Sequence, residues 1–187
     1  MDHYVDLKLL PDPEIAQPHL MGALFGKLHL ALVAQRSEHI GISFPAVQDA
    51  PPWLGDCLRL HGRHAELAAT MATPWLAGMR DHVQASAVLS VPATARFRVV
   101  SRVQAKSNPD RLRRRQMRRH GIDAAEAVVR VPDTAAERLD LPYVQLRSLS
   151  TVQSFRLFIR HGALQDSASP GVFGAYGLSM TATVPWF

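Results

Sequence analysis

The residues able to do chemistry in this 187-residue chain fall into two groups: histidines that could move a proton and arginines that could hold a polyanion. Among the nine histidines, His61 and His64 stand three apart, but no HExxH pattern or Cys/His cluster accompanies them, so they form no metal signature. The single cysteine, Cys57, excludes an internal disulfide framework and any multi-cysteine zinc site. His29 lies between Leu28 and Leu30, with Phe25 one turn before it and Leu32 and Val33 about one turn after. An imidazole titrates near neutral pH and suits general acid–base work. A lone histidine in such a setting is more often a helix-flank residue with a satisfied ring, and spacing alone leaves both readings open.

The arginines are more telling. From Ser107-Asn108-Pro109-Asp110 to Arg119-His120 the chain reads as a helix over about 108–120 with six arginines in the nine positions 111–119. Asn108 can cap it, Pro109 fits its first turn, Asp110 faces the positive end of the dipole, and Gly121 stands where a left-handed terminator belongs. At about 100° per residue, Arg111, Arg114, Arg115, Arg118 and Arg119 fall within an arc of about 140°. Like charges at that spacing repel, and a phosphate backbone laid along the arc relieves the repulsion. Residues 95–120 hold ten of the 21 Lys+Arg and one of the 16 Asp+Glu, a net of +9, so the remainder of this +5 chain carries −4. Charge gathered in one place points to nucleic acid and away from a generally solvated surface. Just upstream, Arg102 and Gln104 alternate in a strand-like run from Ala95 to Gln104. Arg can pair with guanine and Gln with adenine, although two polar side chains on an exposed edge would look the same.

The elements that must carry these residues can be read in order. Tyr4–Leu9 alternates as a strand, and about Pro18–Gln35 is helical, with Leu20, Leu24, Leu28, Ala31 and Leu32 on one face. Ile40–Phe44 is a strand, Cys57–His61 another, about Arg63–His82 helical with a break near Pro74, and Val83–Val91 a fourth strand. That order, β-α-β-β-α-β, is the ferredoxin-like arrangement. The expected class is therefore α+β: a ferredoxin-like domain over 1–94, then a domain over 95–187 of mixed strands with the arginine-rich helix. Pro92-Ala93-Thr94 marks the boundary. The first-domain strands lack the aromatics of a standard RNA-recognition module. Beyond Gly121, two short helices with acidic starts (123–129 and 133–139), strands at Tyr143–Arg147 and Phe155–Arg160, and an aromatic ending that docks into a core are expected. Hydrophobic content of 47% suffices for a core. No apolar run is long enough to span a bilayer, and no export signal is visible, so a cytoplasmic protein is expected.

Several of these stretches together resemble one family, the type I-F CRISPR RNA-processing endoribonucleases. The similarity lies in Met1–Tyr4, Leu24–His29, Arg102–Pro109, the arginine helix, Phe155–Gly162, and Tyr176–Ser179 through Pro185–Phe187. It is densest from Val100 to Phe187 and weakest from Ala46 to Ser90. The resemblance implies a metal-independent ribonuclease without cofactor that cuts the repeat of a precursor transcript at the 3′ base of a stem-loop. It further implies that the enzyme remains on its product and joins the other subunits of a surveillance complex, monomeric on its RNA and apart from any membrane.

By the same resemblance, His29 acts on the attacking 2′-hydroxyl, Ser148 positions that hydroxyl and Tyr176 orients the histidine. Arg102 and Gln104 read base pairs near the cut, and Phe155 stacks under the end of the stem. Lys106, Ser107, Asn108, Arg111, Arg114, Arg115, Arg118, Arg119 and His120 belong to the RNA-gripping segment. Ser150 and Thr151 lie near the cleaved strand. Leu149 and Met180 depart from the polar or basic residues expected there, which bears on contacts to flanking nucleotides.

RNA carries its own nucleophile, so such chemistry needs positioning and a proton acceptor more than a metal. A serine hydroxyl can hold the 2′-oxygen in line, and a tyrosine hydroxyl can fix the imidazole. Two other classes share part of the pattern. A non-catalytic stem-loop-binding subunit of a ribonucleoprotein would show the same arginines. A DNA-binding regulator is disfavoured by the absence of helix-turn-helix spacing.

Overall fold

In the computed structural model the elements follow in the order β1 (His3–Leu9), α1 (Gln17–Gln35), β2 (Gly41–Ser43), β3 (Gln48–Asp49), β4 (Pro52–Trp53), β5 (Cys57–Gly62), α2 (His64–Ala72), a 3-10 turn (Pro74–Leu76), β6 (Val83–Ala85), β7 (Leu89–Ser90), β8 (Arg96–Val103), α3 (Pro109–His120), α4 (Ala124–Arg130), β9 (Tyr143–Arg147), β10 (Ser154–His161) and β11 (Thr183–Trp186). The structure describes residues 1–104, 109–132, 139–148 and 153–187, and for Asp110 and Arg111 the backbone only.

The expected α+β class is what the chain adopts. The first sheet runs β2-β5-β1-β6, with β7 also pairing β1. Its strand pairs are antiparallel, the sheet order of a ferredoxin-like fold. The second sheet runs β11-β8-β10-β9. Sheet membership changes between Ser90 and Arg96, around the expected seam at Pro92–Thr94. The core does not change there: Val5, Leu7, Leu24 and Leu60 of the first half share one buried cluster with Val144, Leu157, Ile159 and Val184 of the second. Packing divides the chain elsewhere, into one compact unit of residues 1–102 and 141–187 and another of residues 103–140.

Local chemistry explains the elements that hold the site. Helix α1 has a proline in its first turn and ends at Arg36 in the left-handed region, φ +48°. Its expected apolar face is buried, with Met21 and Phe25 added to it. The break expected near Pro74 is where α2 ends, at Ala72, and only the 3-10 turn at Pro74–Leu76 follows of the helical stretch expected to His82. Thr73, at ψ 152°, takes the extended conformation that the following Pro74 imposes, and its hydroxyl donates to the Thr70 carbonyl at 2.8 Å. The single strand expected over Val83–Val91 is two. Ala85 pairs with Leu7 and Leu89 with Tyr4, so this side spends one residue more than β1, a bulge. Ser86 sits within it, its hydroxyl accepting from the Asp6 amide at 2.9 Å.

The aromatic ending is docked, as the sequence suggests. β11 pairs β8 from Thr183↔Val99 to Trp186↔Arg96. The Arg59 guanidinium lies 4.1 Å from the Phe187 ring centroid and 4.6 Å from that of Tyr4, and it donates to both Asp6 carboxylate oxygens at 2.6 and 2.9 Å. Arg59 is thus a buried cation whose charge is matched and whose flat faces are covered by aromatic rings.

In the unit of residues 103–140, α3 ends as its sequence dictates. Gly121 takes φ +63° and its amide donates to the Met117 carbonyl at 2.9 Å. Asp123 caps α4 by accepting from the Glu126 amide at 2.8 Å. Arg113, which lies off the calculated arc, donates to the Val131 carbonyl at 2.8 Å. Arg114, Arg115, Arg118, Arg119 and His120 are exposed along α3. The second short helix expected at 133–139 lies mostly outside the described residues.

Candidate active site

A cleft of about 680 Å³ opens between α1 and β9, and His29, Ser148, Phe155 and Tyr176 all line it. The three residues given catalytic roles, 28 to 147 positions apart in sequence, thus meet on one surface. His29 comes from the third quarter of α1, Ser148 from the end of β9, and Tyr176 from the turn between Gly174 and Leu178. Helix α1 approaches the sheet closely enough for this because Gly22 faces β9: a β-carbon there would sit 2.6 Å from the Gln145 carbonyl oxygen.

The imidazole of His29 is half-buried and held twice. Its ring stacks on Tyr176, centroids 4.0 Å apart and planes 15° from parallel. Tyr176 also stacks with Phe25 at 5.9 Å, and Phe25 with Phe44 at 6.3 Å, so the imidazole joins an aromatic series that runs into the core. Its Nδ1 lies 2.8 Å from the Ala175 carbonyl oxygen. A carbonyl only accepts, so Nδ1 carries the hydrogen and, in the neutral ring, Nε2 holds the lone pair. The expectation that a tyrosine hydroxyl fixes the imidazole is therefore corrected. Tyr176 touches it through the ring face, and the backbone of the preceding residue makes the hydrogen bond.

Ser148 lies just beyond β9, its amide donating to the Gln153 carbonyl at 2.9 Å across the hairpin. Phe155, in β10 opposite Leu146, packs partly against the core with the rest of its ring toward the cleft. Lys27 and Arg147 also line the cleft, and the Lys27 ammonium donates to the Ala77 carbonyl at 2.8 Å. Arg102 is exposed near the end of β8, its guanidinium 6.0 Å from the Tyr176 ring centroid. Gln104 is exposed one residue past that strand, so only Arg102 of the pair lies in it. Met180 is 75% exposed. Lys106, Ser107, Asn108, Leu149, Ser150 and Thr151 lie outside the described residues, as does the Arg111 side chain.

Three contributors to the site were not among the sequence candidates. Ala175 acts through its main chain, which no residue type announces. Gly22 and Gly26, one turn apart on α1, did offer a signal: small residues at i and i+4 mark a helix face that another backbone can approach. Among the described residues no group of three or more His, Cys, Asp or Glu could hold a metal ion, and no helix is long and apolar enough to cross a membrane.

Fold and cleft define an α+β protein equipped to take a proton at one fixed imidazole nitrogen, with a hydroxyl and cations close by. The family is more particular. Residues 4–187 match the family described as CRISPR-associated protein (Cas_Csy4), and the chain belongs to it. The chain is 56% identical, over all 187 residues and the full length of both proteins, to the CRISPR-associated endonuclease Cas6/Csy4 of Pseudomonas aeruginosa (strain UCBPP-PA14). It is 48% identical, again over the whole of both, to the protein of that name from Escherichia coli (strain UTI89 / UPEC). The resemblance read from the sequence is borne out.

Proposed function

We propose that the protein is an endoribonuclease that cuts a CRISPR precursor transcript at the 3′ base of the repeat stem-loop, without a metal ion, and keeps the product. The observation that carries this reading is the meeting of a tautomer-fixed His29 and Ser148 in one cleft, in a chain whose relatives are named CRISPR-associated endonucleases. The His29 Nε2 lone pair accepts the proton of the 2′-hydroxyl. The freed 2′-oxygen attacks the adjacent phosphorus, the P–O5′ bond breaks, and the departing 5′-oxygen takes up a proton. The products are a 2′,3′-cyclic phosphate and a 5′-hydroxyl. Ser148 holds the 2′-oxygen in line, and orientation of this kind supplies a large part of such a rate enhancement.

The exposed arginines of α3 grip the stem through its phosphates. Arg102 and Gln104 read base edges near the cut, each bidentate pair giving about 1–3 kcal/mol of discrimination. Phe155 stacks on the terminal base pair. Lys106, Ser107, Asn108, Ser150 and Thr151 contact the same RNA. In this reading the chain acts as a monomer on its RNA, in the cytoplasm where the transcript is made, and passes with its product into a complex with further CRISPR subunits.

The test incubates purified protein with a labelled stem-loop RNA in excess chelator, beside the same RNA carrying one 2′-deoxy sugar at the cut. Cleavage of the first, none of the second, and loss of cutting with retained binding in His29→Ala are the expected results. Binding without cleavage by the wild type would make the protein a stem-loop-binding subunit instead.

A further inference from the structure

The His29 Nδ1 is held by a backbone turn that lies 145 or more residues from it in sequence. The chain from Gly174 to Leu178 folds back on itself, the Gly174 amide donating to the Leu178 carbonyl at 2.9 Å and the Gly177 amide to the Gly174 carbonyl at 2.8 Å. The turn is fastened to the first sheet, where the amide of Ile42, wholly buried in β2, donates to the Gly177 carbonyl at 2.9 Å. One end of this arrangement is core strand. The other is the Ala175 carbonyl, 2.8 Å from the His29 Nδ1, with the Tyr176 ring laid on the imidazole.

Gly177 makes the turn possible for two independent reasons. Its φ is +68°, in the left-handed region that residues with a β-carbon seldom adopt. A β-carbon there would also lie 2.7 Å from Ile42 Cγ2. Any side chain at 177 must push the turn away from β2, and Ala175 and Tyr176 move with it.

We propose that Gly177 is a positioning residue for RNA cleavage: it seats the 174–178 turn so that the Ala175 carbonyl holds the hydrogen of His29 on Nδ1 and leaves Nε2 as the base. The proposal deepens the nuclease reading and rests on it for the kinetic arm of its test. Elsewhere, a catalytic histidine held in the wrong tautomer loses about 10⁴-fold in turnover, and a displacement near 1 Å costs about 10²-fold.

Three measurements test it. Long-range ¹H–¹⁵N spectra of the histidine-labelled full chain at alkaline pH should show Nδ1 of His29 protonated and Nε2 bare. Gly177→Ala should lower the single-turnover rate by about 10²-fold while stem-loop affinity stays within about threefold, since the α3 cations supply the grip. A variant with an ester in place of the Ala175–Tyr176 amide keeps every side chain, weakens that acceptor and otherwise removes only the Tyr176 N–H. It should cut at least about tenfold more slowly and show neutral His29 shifted toward the Nε2–H form. A wild-type ring protonated on Nε2, or an ester variant that cuts at the wild-type rate, overturns the proposal. If the wild type binds RNA but never cuts, the nuclease reading fails, while the spectra still decide which nitrogen the turn protonates.

Discussion

Gly22 of α1 and Gln145 of β9 touch backbone to backbone, with no room for a β-carbon between them. Seven residues further along the helix is His29, and three residues past Gln145, just beyond the strand's end, is Ser148. The spacing of these two candidate groups is therefore set where neither of them is.

Gly22→Ala tests that spacing. Alanine is the better helix former by about 1 kcal/mol, but its methyl would sit 2.6 Å from a carbonyl oxygen, so helix and strand must part. The expected outcome is a cleavage rate lower by about 10-fold to 10²-fold with stem-loop affinity unchanged. An unaltered single-turnover rate shows that the contact does not govern the site.

Tyr176 supports His29 with its ring, so the hydroxyl should matter little. Tyr176→Phe keeps the 4.0 Å stack and should cut within a few-fold of wild type, whereas Tyr176→Ala should lose most activity. Equal losses in the two variants would return the role to the hydroxyl.

The exposed face of α3 should reveal itself through salt. Arg115→Ala combined with Arg119→Ala removes two cations that contact phosphate in the proposed complex. Binding should weaken, and the slope of log K against log salt should become shallower by about two. An unchanged slope means those arginines face solvent.

Stability should fall on mild acidification for a reason seated in the core. Burial pushes His61 down to about 3 and His161 down to about 4, with Arg59 and Arg98 adding to the respective shifts. His61 lies with Nε2 2.8 Å from the Ser43 hydroxyl, and His161 makes edge contacts with Phe44 and Trp186. Both stay neutral in the fold while the unfolded chain protonates them near the ordinary value of about 6.5. Their stabilising effect is complete above that pH and is lost as pH falls toward 4, at about 1.4 kcal/mol per unit for each. Urea midpoints from pH 7.5 to 4.5 should show the decline, and His161→Phe should reduce its slope. A flat profile in both proteins contradicts the assignment.

Local rules made much of this molecule legible. The apolar face of α1, Gly121 as terminator of α3, the acidic start of α4 and the ferredoxin-like order each follow from residue types within a few positions. The split of β6 from β7 was hidden because a bulge depends on the partner strand, whereas Pro74 announced the break after α2. The candidate site was legible only by resemblance. His29 read alone was an ordinary helix-flank residue, and what distinguishes it, the Ala175 carbonyl and the ring of Tyr176, arrives from nearly 150 residues away. A main-chain acceptor leaves no mark on a sequence.

The shared core has an architectural consequence. One of the three candidate side chains is contributed by the first half and two by the second, across a seam that the hydrophobic interior ignores. Exchange of halves between relatives would thus carry over the reactive residues and still yield a silent enzyme unless the junction were rebuilt to the same tolerance. Inheritance of this activity is inheritance of the whole interior.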